Sequence, residues 1–154
     1  MSEFTYRKAE PSDLPTIAAA KKEALREEWE WDEKTLGEIA GNFVDAVCRG
    51  VSSVCLAYDG TVFAGLGTVY IWNDGKSTLS DFYVLPEYRH NGAMHGILGA
   101  LIQTAREHGC KSVWLLTTDE KYRSHWQMLG FRDKYEENDE GVTVLSQRME
   151  MTLN

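Results

Sequence analysis

An apolar strand in the middle of this sequence runs directly into a polar turn and then into an amphipathic helix. The strand pattern covers residues 78–85, the turn holds Arg89 and Gly92, and apolar residues at helical spacing begin at Met94. Because a helix links this strand to the next, the two strands are expected to be parallel neighbours in one sheet. The apolar run 112–117 is the predicted partner.

Strand and helix signals alternate along the rest of the chain. Asp59-Gly60 between two β-rich runs is a strong hairpin signal. The pattern predicts an α/β fold with a mixed, mostly antiparallel sheet and helices on both faces. The remaining elements are predicted as a strand at 4–9, a helix starting at Ser12 or Asp13, a helix at 36–47, strands at 51–58 and 61–72, a helix at 121–129, and strands at 131–135 and 141–151.

The length and charge of the chain narrow its class. With 154 residues, three prolines and no repeat or low-complexity run, residues 1–154 are expected to form a single domain. A net charge of -8 argues against nucleic-acid binding, which requires a basic face. The N-terminus lacks the apolar core of a signal peptide, and no stretch approaches the ~20 apolar residues of a membrane span. A cytoplasmic protein without a membrane partner is expected.

The cysteines point to neither disulfides nor a metal. Cys48, Cys55 and Cys110 are widely spaced and lie in apolar contexts. They are predicted to be reduced, buried thiols that pack as small hydrophobic groups. No metal site is expected.

The turn after the central strand has the ingredients of an anion site. Arg89 supplies a positive charge, Gly92 has no side chain, and the following helix offers free N–H groups and the positive end of its dipole. A phosphate group is therefore the first ligand to expect at this turn.

The motif Val84-Leu85-Pro86-Glu87-Tyr88-Arg89, followed about forty residues later by Leu129-Gly130-Phe131, resembles the GCN5-related N-acetyltransferase (GNAT) family. The likeness is good over residues 79–131 and extends more weakly over nearly the whole chain. It implies a parallel strand pair that splays apart, acetyl-coenzyme A as the co-substrate, and its pyrophosphate as the anion at the turn.

The resemblance also assigns residues to the co-substrate. The pantetheine arm would bond to the main chain around Phe82, Tyr83 and Val84, and the amide of Val84 or Tyr83 would polarise the acetyl carbonyl. The predicted pyrophosphate cradle consists of Arg89, His90, Asn91, Gly92, Ala93 and Met94 with the amides of His95 and Gly96.

Two positions depart from the family pattern. Met94 replaces the usual Gly or Ala, and its place on the apolar stripe suggests that it anchors the first helical turn in the core. Trp126 stands where relatives often have the Tyr that protonates the leaving thiolate, and an indole is no acid. Tyr122, one turn earlier, is the candidate substitute, whereas His125 points about 100° away from Trp126. The alternatives are release of the thiolate to solvent and a packing role for Tyr122.

An amine acceptor needs a base, because most alkylamines are protonated at pH 7. Asp81 is the carboxylate nearest in sequence to the expected acetyl position. Strict strand alternation would place Asp81 on one face with Leu79 and Tyr83, opposite Phe82. The alternative is a structural role for Asp81 as a cap or ion-pair partner.

Acidic residues lie in two segments that flank the acceptor entrance in the family. Carboxylates near aromatic rings suit a cationic amine, although acidic runs are often only solvated surface. The first segment gives the predicted acceptor-binding residues Glu27, Glu28, Trp29 and Trp31, next to Asp32 and Glu33; the second, in the last hairpin, holds Glu136, Glu137, Asp139 and Glu140.

Within the family, the Asp81-Phe82-Tyr83-Val84 stretch is most similar to the diamine (spermidine/spermine) acetyltransferases. That branch usually has a carboxylate at the Ser80 position and the catalytic Tyr at the Trp126 position. The expected activity is acetyl transfer from acetyl-coenzyme A to a small cationic amine. A non-catalytic acyl-coenzyme A sensor or an interaction domain of the same fold is the alternative, and an apolar C-terminal strand suggests a homodimer.

Overall fold

The computed structural model describes residues 3–28, 30–50, 52–117 and 120–153. Short 3-10 turns precede the first, third and fourth helices. The elements are β1 (Phe4–Lys8), α1 (Leu14–Glu28), α2 (Glu33–Cys48), β2 (Ser52–Asp59), β3 (Val62–Ile71), β4 (Lys76–Val84), α3 (Ala93–Glu107), β5 (Ser112–Leu116), α4 (Arg123–Met128), β6 (Arg132–Glu137) and β7 (Thr143–Thr152).

The strands form one seven-stranded sheet in the order β1-β2-β3-β4-β5-β7-β6. The pair β4–β5 is parallel, because α3 crosses over between these strands, and the other neighbouring pairs are antiparallel. This arrangement confirms the predicted mixed sheet with a single parallel pair.

Helices cover both faces of the sheet. On one, the α1 face, Ile17 and Phe43 pack on Leu56 of β2. On the other, the α3 face, α3 buries the stripe that contains Ile97 and Leu101 against the strands, as the helical spacing predicts. Among the described residues, no helix is long and apolar enough to cross a membrane.

The hairpin between β2 and β3 turns one residue later than predicted. Asp59 still pairs with Val62, so the two loop residues are Gly60 and Thr61. Gly60 has φ +62°, and a glycine at the first loop position is typical of a type II′ turn. Asp59 is therefore the last residue of β2.

The predicted helix over 121–129 is shorter than expected. A 3-10 turn, Glu120–Tyr122, leads into the six-residue helix α4. Arg123 is buried and donates to Asp133 (2.7 Å) and to the Ser146 carbonyl (3.3 Å). This buried arginine ties α4 to β6 and β7, because a guanidinium out of water must be paired on several sides.

The cysteine prediction is correct for two of the three residues. Cys55 and Cys110 are buried, and burial raises the pKa of the Cys55 thiol to about 11. Cys48 is exposed, because it falls on the solvent side of the last turn of α2. All three are free thiols.

Candidate active site

A cleft opens where β4 and β5 separate. The two strands pair at three positions, the last of which joins Thr78 to Trp114. Beyond that pair β4 continues to Val84 and β5 to Leu116. Strands that diverge leave main-chain donors and acceptors unpaired along the gap. The cleft can therefore take an extended ligand that bonds to the main chain.

A β-bulge at Asp81 changes which face the end of β4 presents. Ser80 pairs with Thr68 and Tyr83 with Leu66, so Asp81 and Phe82 together lie opposite Gly67 alone. Asp81 has φ +57°, the left-handed conformation that a bulge often requires. The extra residue shifts the alternation by one position along the strand.

The prediction that Asp81 shares a face with both Leu79 and Tyr83 is therefore wrong. Leu79 packs in the core of the α3 face, whereas Tyr83 packs in the core of the α1 face. The side chain of Asp81 reaches α1, on the same face as Tyr83. Strict alternation fails here because a bulge places two residues opposite one.

The amide of Val84 points into the cleft. The amide of Leu85 donates to Ala64 of the neighbouring β3 strand (2.9 Å). Successive amides of a strand point in opposite directions within the sheet, so the amide of Val84 faces the side where β5 has diverged. Of the two amides considered from the sequence, that of Tyr83 points to β3 and that of Val84 to the cleft.

The carboxylate of Asp81 is bound on both oxygens. Lys21 of α1 donates to Oδ1 at 2.5 Å, and the Tyr70 hydroxyl donates to Oδ2 at 2.9 Å. The side chains of Lys21 and Asp81 are 18% and 11% exposed. Burial, followed by the charge of Asp81, raises the pKa of Tyr70, so this hydroxyl stays protonated. Asp81 is thus an ion-pair partner as well as a candidate base.

This ion pair borders a small cavity on the α1 face. The cavity has a volume of about 230 Å³ and lies between α1 and the bulged part of β4. Its wall is polar and apolar in similar measure: Lys21, Ser80 and Asp81 supply polar side chains, and the other lining residues are Ala24, Leu25, Leu66, Phe82 and Tyr83.

The turn between β4 and α3 presents main-chain donors. His90 and Gly92 both have positive φ, +67° and +89°, and Gly92 caps α3 without a side-chain partner for the helix. A Cβ added at Gly92 would meet open space. The first amides of a helix have no acceptor within it, so those of Ala93, Met94 and His95 can bind an anion at this turn.

Three predicted cradle residues have additional or different roles. The amide of Gly96 donates to the carbonyl of Gly92 (3.1 Å), so it belongs to the hydrogen-bond ladder of α3. A Cβ at Gly96 would overlap the Tyr6 ring of β1, so this glycine permits close packing. Ala93 is the fully buried residue of the first turn, while Met94 is half-buried against the same core.

Arg89 binds protein groups at the edge of the cleft. Its Nε donates to the carbonyl of Val84 (2.8 Å), and Nη2 forms an ion pair with Glu27 (2.8 Å). The guanidinium also lies over the Tyr83 ring, 5.6 Å from its centroid. The guanidinium thus ties the turn to β4 and to the end of α1.

Trp126 lies next to the cleft. Its ring centroid is 6.1 Å from that of Phe82 and 6.1 Å from that of Phe131. Tyr122, the candidate acid, is 50% exposed at the start of α4. The two residues therefore differ in environment, with Trp126 packed against the core and Tyr122 at the surface.

The first acidic segment is largely engaged in pairing. Glu33 binds Arg26 and Lys22, and Asp32 caps α2 by accepting from the Thr35 amide. Together with the Glu27–Arg89 pair, these contacts neutralise much of the predicted negative surface. Of the other predicted acceptor residues, Trp31 is 38% exposed, whereas Trp29 and the side chain of Glu28 lie outside the described part of the chain.

The last hairpin is different. Its turn is held by the Asn138 side chain, which accepts from the amides of Glu140 and Val142. The hairpin carboxylates are exposed and, among the residues that the structure describes, form no ion pair; they are Glu136, Glu137, Asp139 and Glu140. Within the same described ranges, no group of three or more acidic, His or Cys side chains could hold a metal.

Lys21 and Tyr70 are site residues that sequence reasoning missed. Lys21 is one of several charged residues on α1, and Tyr70 is one of two aromatic residues on β3. Neither has a local motif. The glycine at position 67 was the available signal for the bulge, because a Cβ there would lie 2.8 Å from the Phe82 ring.

Comparison with known proteins agrees with this geometry. The sequence model of the acetyltransferase (GNAT) family matches residues 15–131, which include β4, the turn, α3 and Trp126. No match was found among curated proteins.

Solved structures share the fold at low identity. An acetyltransferase of the GNAT family from Staphylococcus aureus Mu50 has a TM-score of 0.75 at 15% identity, covering 99% of this chain and 100% of its own. PaiA N-acetyltransferase from Thermoplasma acidophilum, in complex with coenzyme A, has 0.71 at 18%, covering 98% and 99%.

A predicted acetyltransferase from Clostridium acetobutylicum, solved with acetyl-coenzyme A, has a TM-score of 0.70 at 20% identity, covering 86% of this chain and 92% of its own. The family match extends over most of the chain and contains the splayed strands and the anion turn. This protein therefore belongs to the GNAT acetyltransferase family.

Proposed function

We propose that this protein transfers the acetyl group of acetyl-coenzyme A to a primary amine, by direct attack in a ternary complex. The observation that carries the proposal is the separation of β4 and β5 beyond Thr78 and Trp114, with the amide of Val84 on the open side and the open turn at Gly92 following β4 in the chain. Two of the solved structures that share the fold hold coenzyme A or acetyl-coenzyme A. Acetyl-coenzyme A is the co-substrate.

The residues present fit this co-substrate. The pyrophosphate would bind the turn from His90 to Gly92 and the free amides of Ala93, Met94 and His95, where the α3 dipole favours negative charge. The pantetheine arm would bond to the main chain of β4 around Phe82–Val84. Arg89 would stabilise the turn through its bond to the Val84 carbonyl and its ion pair with Glu27.

The acetyl-transfer step balances without another reactant. The neutral amine nitrogen attacks the thioester carbonyl carbon, and the Val84 amide stabilises the negative charge that develops on the carbonyl oxygen. As the oxygen re-forms its double bond, the C–S bond breaks and its electron pair goes to sulfur. The nitrogen gives up one proton to Asp81, directly or through water, and the thiolate gains one.

The source of the thiolate's proton is a separate proposal. Trp126 occupies the position near Phe82 where relatives often have Tyr, and an indole cannot supply a proton. The Tyr122 hydroxyl or solvent would protonate the sulfur, or the thiolate would leave as such. Tyr122→Phe should lower kcat only if its hydroxyl is the acid.

The acceptor is proposed to be a small amine. The cavity of about 230 Å³ beside Asp81 is below the 300–1,000 Å³ typical of drug-sized ligands. A polyamine, the acceptor class of the diamine branch, is the second candidate. It is favoured by the four exposed hairpin carboxylates, Glu136, Glu137, Asp139 and Glu140, which could attract a polycation from solution.

A homodimer is also proposed. Leu145 of β7 and Tyr135 of β6 are exposed side chains that pair directly across adjacent strands, and clustered apolar surface often marks an interface. Light scattering after size exclusion would give a mass of twice 17.5 kDa if the chain pairs.

Calorimetric titration with acetyl-coenzyme A, followed by thiol release with a panel of amines, tests the function. The exposed thiol of Cys48 would react with the thiol reagent, so the assay should use Cys48→Ser protein. Micromolar binding with thiol release on an amine is the expected result. Binding without release on any amine would favour the sensor alternative, and no binding would exclude both roles.

A further inference from the structure

The ion pair between Lys21 and Asp81 lies in the wall of the proposed acceptor cavity. A catalytic base needs only the carboxylate of Asp81, so the presence of Lys21 calls for a separate explanation. Both side chains are mostly buried. Lys21 also lies over the Phe43 ring, with Nζ 5.1 Å from the centroid. A buried ion pair is seldom a good source of stability, since desolvation offsets most of the attraction. Replacing this ion pair by equivalent ion pairs with a ligand would therefore cost the protein little stability.

The two charges decide which acceptors can enter. A plain cationic amine that binds Asp81 displaces Lys21 and leaves its ammonium buried without a counter-charge, which is strongly unfavourable. A plain anion has the same effect on Asp81. A molecule with both an ammonium and a carboxylate can satisfy Asp81 and Lys21 at once, so the pair is exchanged and no charge is left alone.

A second ion pair lies near the cavity. Arg89 and Glu27, on the other side of Tyr83, neutralise each other. The Tyr70 hydroxyl stays bonded to Asp81 and neutral. Leu25 and Leu66 add apolar surface to the wall, so a short apolar side chain is compatible with the space.

We infer that the acceptor is a small amino acid or another short amino-carboxylate, whose amine binds at Asp81 and whose carboxylate binds Lys21. This inference rests on the proposed function, because the cavity is the acceptor site only if acetyl transfer takes place at the end of the cleft. Lys21 is then the residue that determines acceptor specificity.

The test compares matched acceptors. L-Leucine, L-leucinamide and 3-methylbutylamine carry the same amine and isobutyl group. The carboxylate is free in the first, converted to an amide in the second and absent from the third. The other L-amino acids with their amides extend the series. Thiol release from acetyl-coenzyme A gives kcat/KM for each compound. At least about a tenfold preference for the free acids is expected, the size of one charge-assisted hydrogen bond.

A pair of variants assigns that preference to one residue. Lys21→Met should reduce the ratio of acid to amide to near one, mainly through KM for the acid. Lys22→Met makes the same change at the next residue of α1, where the lysine pairs with Glu33 at the surface, and should keep the ratio. Lys21→Arg, which retains the charge, should restore part of it.

Calorimetry of the same acceptors on the coenzyme A complex separates the two proposals. Binding of amino acids to the unmodified chain but not to Lys21→Met, without thiol release on any amine, would overturn acetyl transfer and with it the acceptor role, but would confirm a binding site for amino-carboxylates at Lys21 and Asp81. Equal or faster release with the amides and plain amines would keep acetyl transfer and overturn the inference. Absence of amino-acid binding at millimolar concentration, or a preference that survives Lys21→Met, would also overturn it.

Discussion

The two sides of the site are built from different parts of the chain. On the co-substrate side, the Val84 amide and the turn at Gly92 are main-chain features of one continuous segment from β4 to α3, and the other wall of the cleft is β5, the next strand in the chain. On the side proposed for the acceptor, Lys21, Tyr70 and Asp81 come from α1, β3 and β4 and meet through their side chains. A main-chain site tolerates changes of side chain, whereas a side-chain site can change its ligand with a few substitutions.

The largest loss of activity is expected from a variant that impairs only the acceptor side. Asp81→Asn removes the charge but keeps a residue that tolerates positive φ. If Asp81 is the base, kcat/KM for the amine should fall about a hundredfold or more, while the Kd of acetyl-coenzyme A changes less than about twofold. Steady-state kinetics and calorimetry measure the two quantities, with Asp45→Asn on the surface of α2 as the control. Activity retained within threefold would exclude Asp81 as the base.

The next largest effect is expected from a variant that impairs only the co-substrate side. Gly92→Val places a β-branched residue at φ +89°, which strains the turn and fills space beside the free amides. The affinity for acetyl-coenzyme A should fall at least about tenfold, or about 1.4 kcal/mol.

Gly141→Val is the matched control, because Gly141 has φ +77° and open space in the last hairpin. Both variants should lose similar thermal stability, but only the variant at Gly92 should lose binding. Equal affinities in calorimetry would show that the turn does not bind the co-substrate.

A smaller effect is expected at the bulge that joins the two sides. A Cβ at Gly67 would lie 2.7 Å from the side chain of Ile97 and 2.8 Å from Phe82. Gly67→Ala should therefore lower the free energy of unfolding by about 1 kcal/mol through overpacking. Gly99→Ala in α3 meets nothing within 4 Å and should be neutral or stabilising. Urea unfolding of both variants measures the difference, and equal stability would show that the bulge is not tightly packed.

The smallest effect lies away from both sides, at the start of α1. The Arg7 guanidinium and the Glu10 amide hold the pKa of Asp13 down at about 2. Since this pKa is below its unfolded value, the contribution to stability is complete above about pH 4 and is lost as the pH falls toward 2. Asp13→Asn should lose stability at pH 6 and show a shallower decline between pH 4 and 2. Denaturation midpoints across this range, with exposed Asp139→Asn as control, would reveal a parallel decline if Asp13 is not responsible.

The sequence could predict the strand, the turn and the helix of the co-substrate side because their signals are local. The strand, the Pro86-to-Arg89 turn and the helical stripe after Gly92 are adjacent in the chain, and loop geometry there follows from residue type. The parallel pair also followed, since a helix between two strands requires it. The order and type of the elements could be read in the same way.

The acceptor side could not be predicted because its contacts are long-range. The ion pair joins Lys21 to a residue sixty positions away. No pattern in the sequence distinguishes Lys21 from the other lysines of the chain. The bulge at Asp81 moved the side chains at the end of β4 to the opposite face of the sheet, and strict alternation cannot predict a bulge. The acidic loop after α1 was overestimated for a similar reason, since the arginine that neutralises Glu27 comes from the turn after β4.

The outer strand of the sheet has a consequence for colloidal behaviour. β6 lies at the edge and reads Arg-Asp-Lys-Tyr-Glu-Glu, with charged side chains at Arg132, Asp133, Lys134, Glu136 and Glu137. Charges along an exposed edge discourage another strand from adding to it. Extension of the sheet at β6 is thus disfavoured at high protein concentration, and self-association on this side of the molecule would use side-chain surfaces instead.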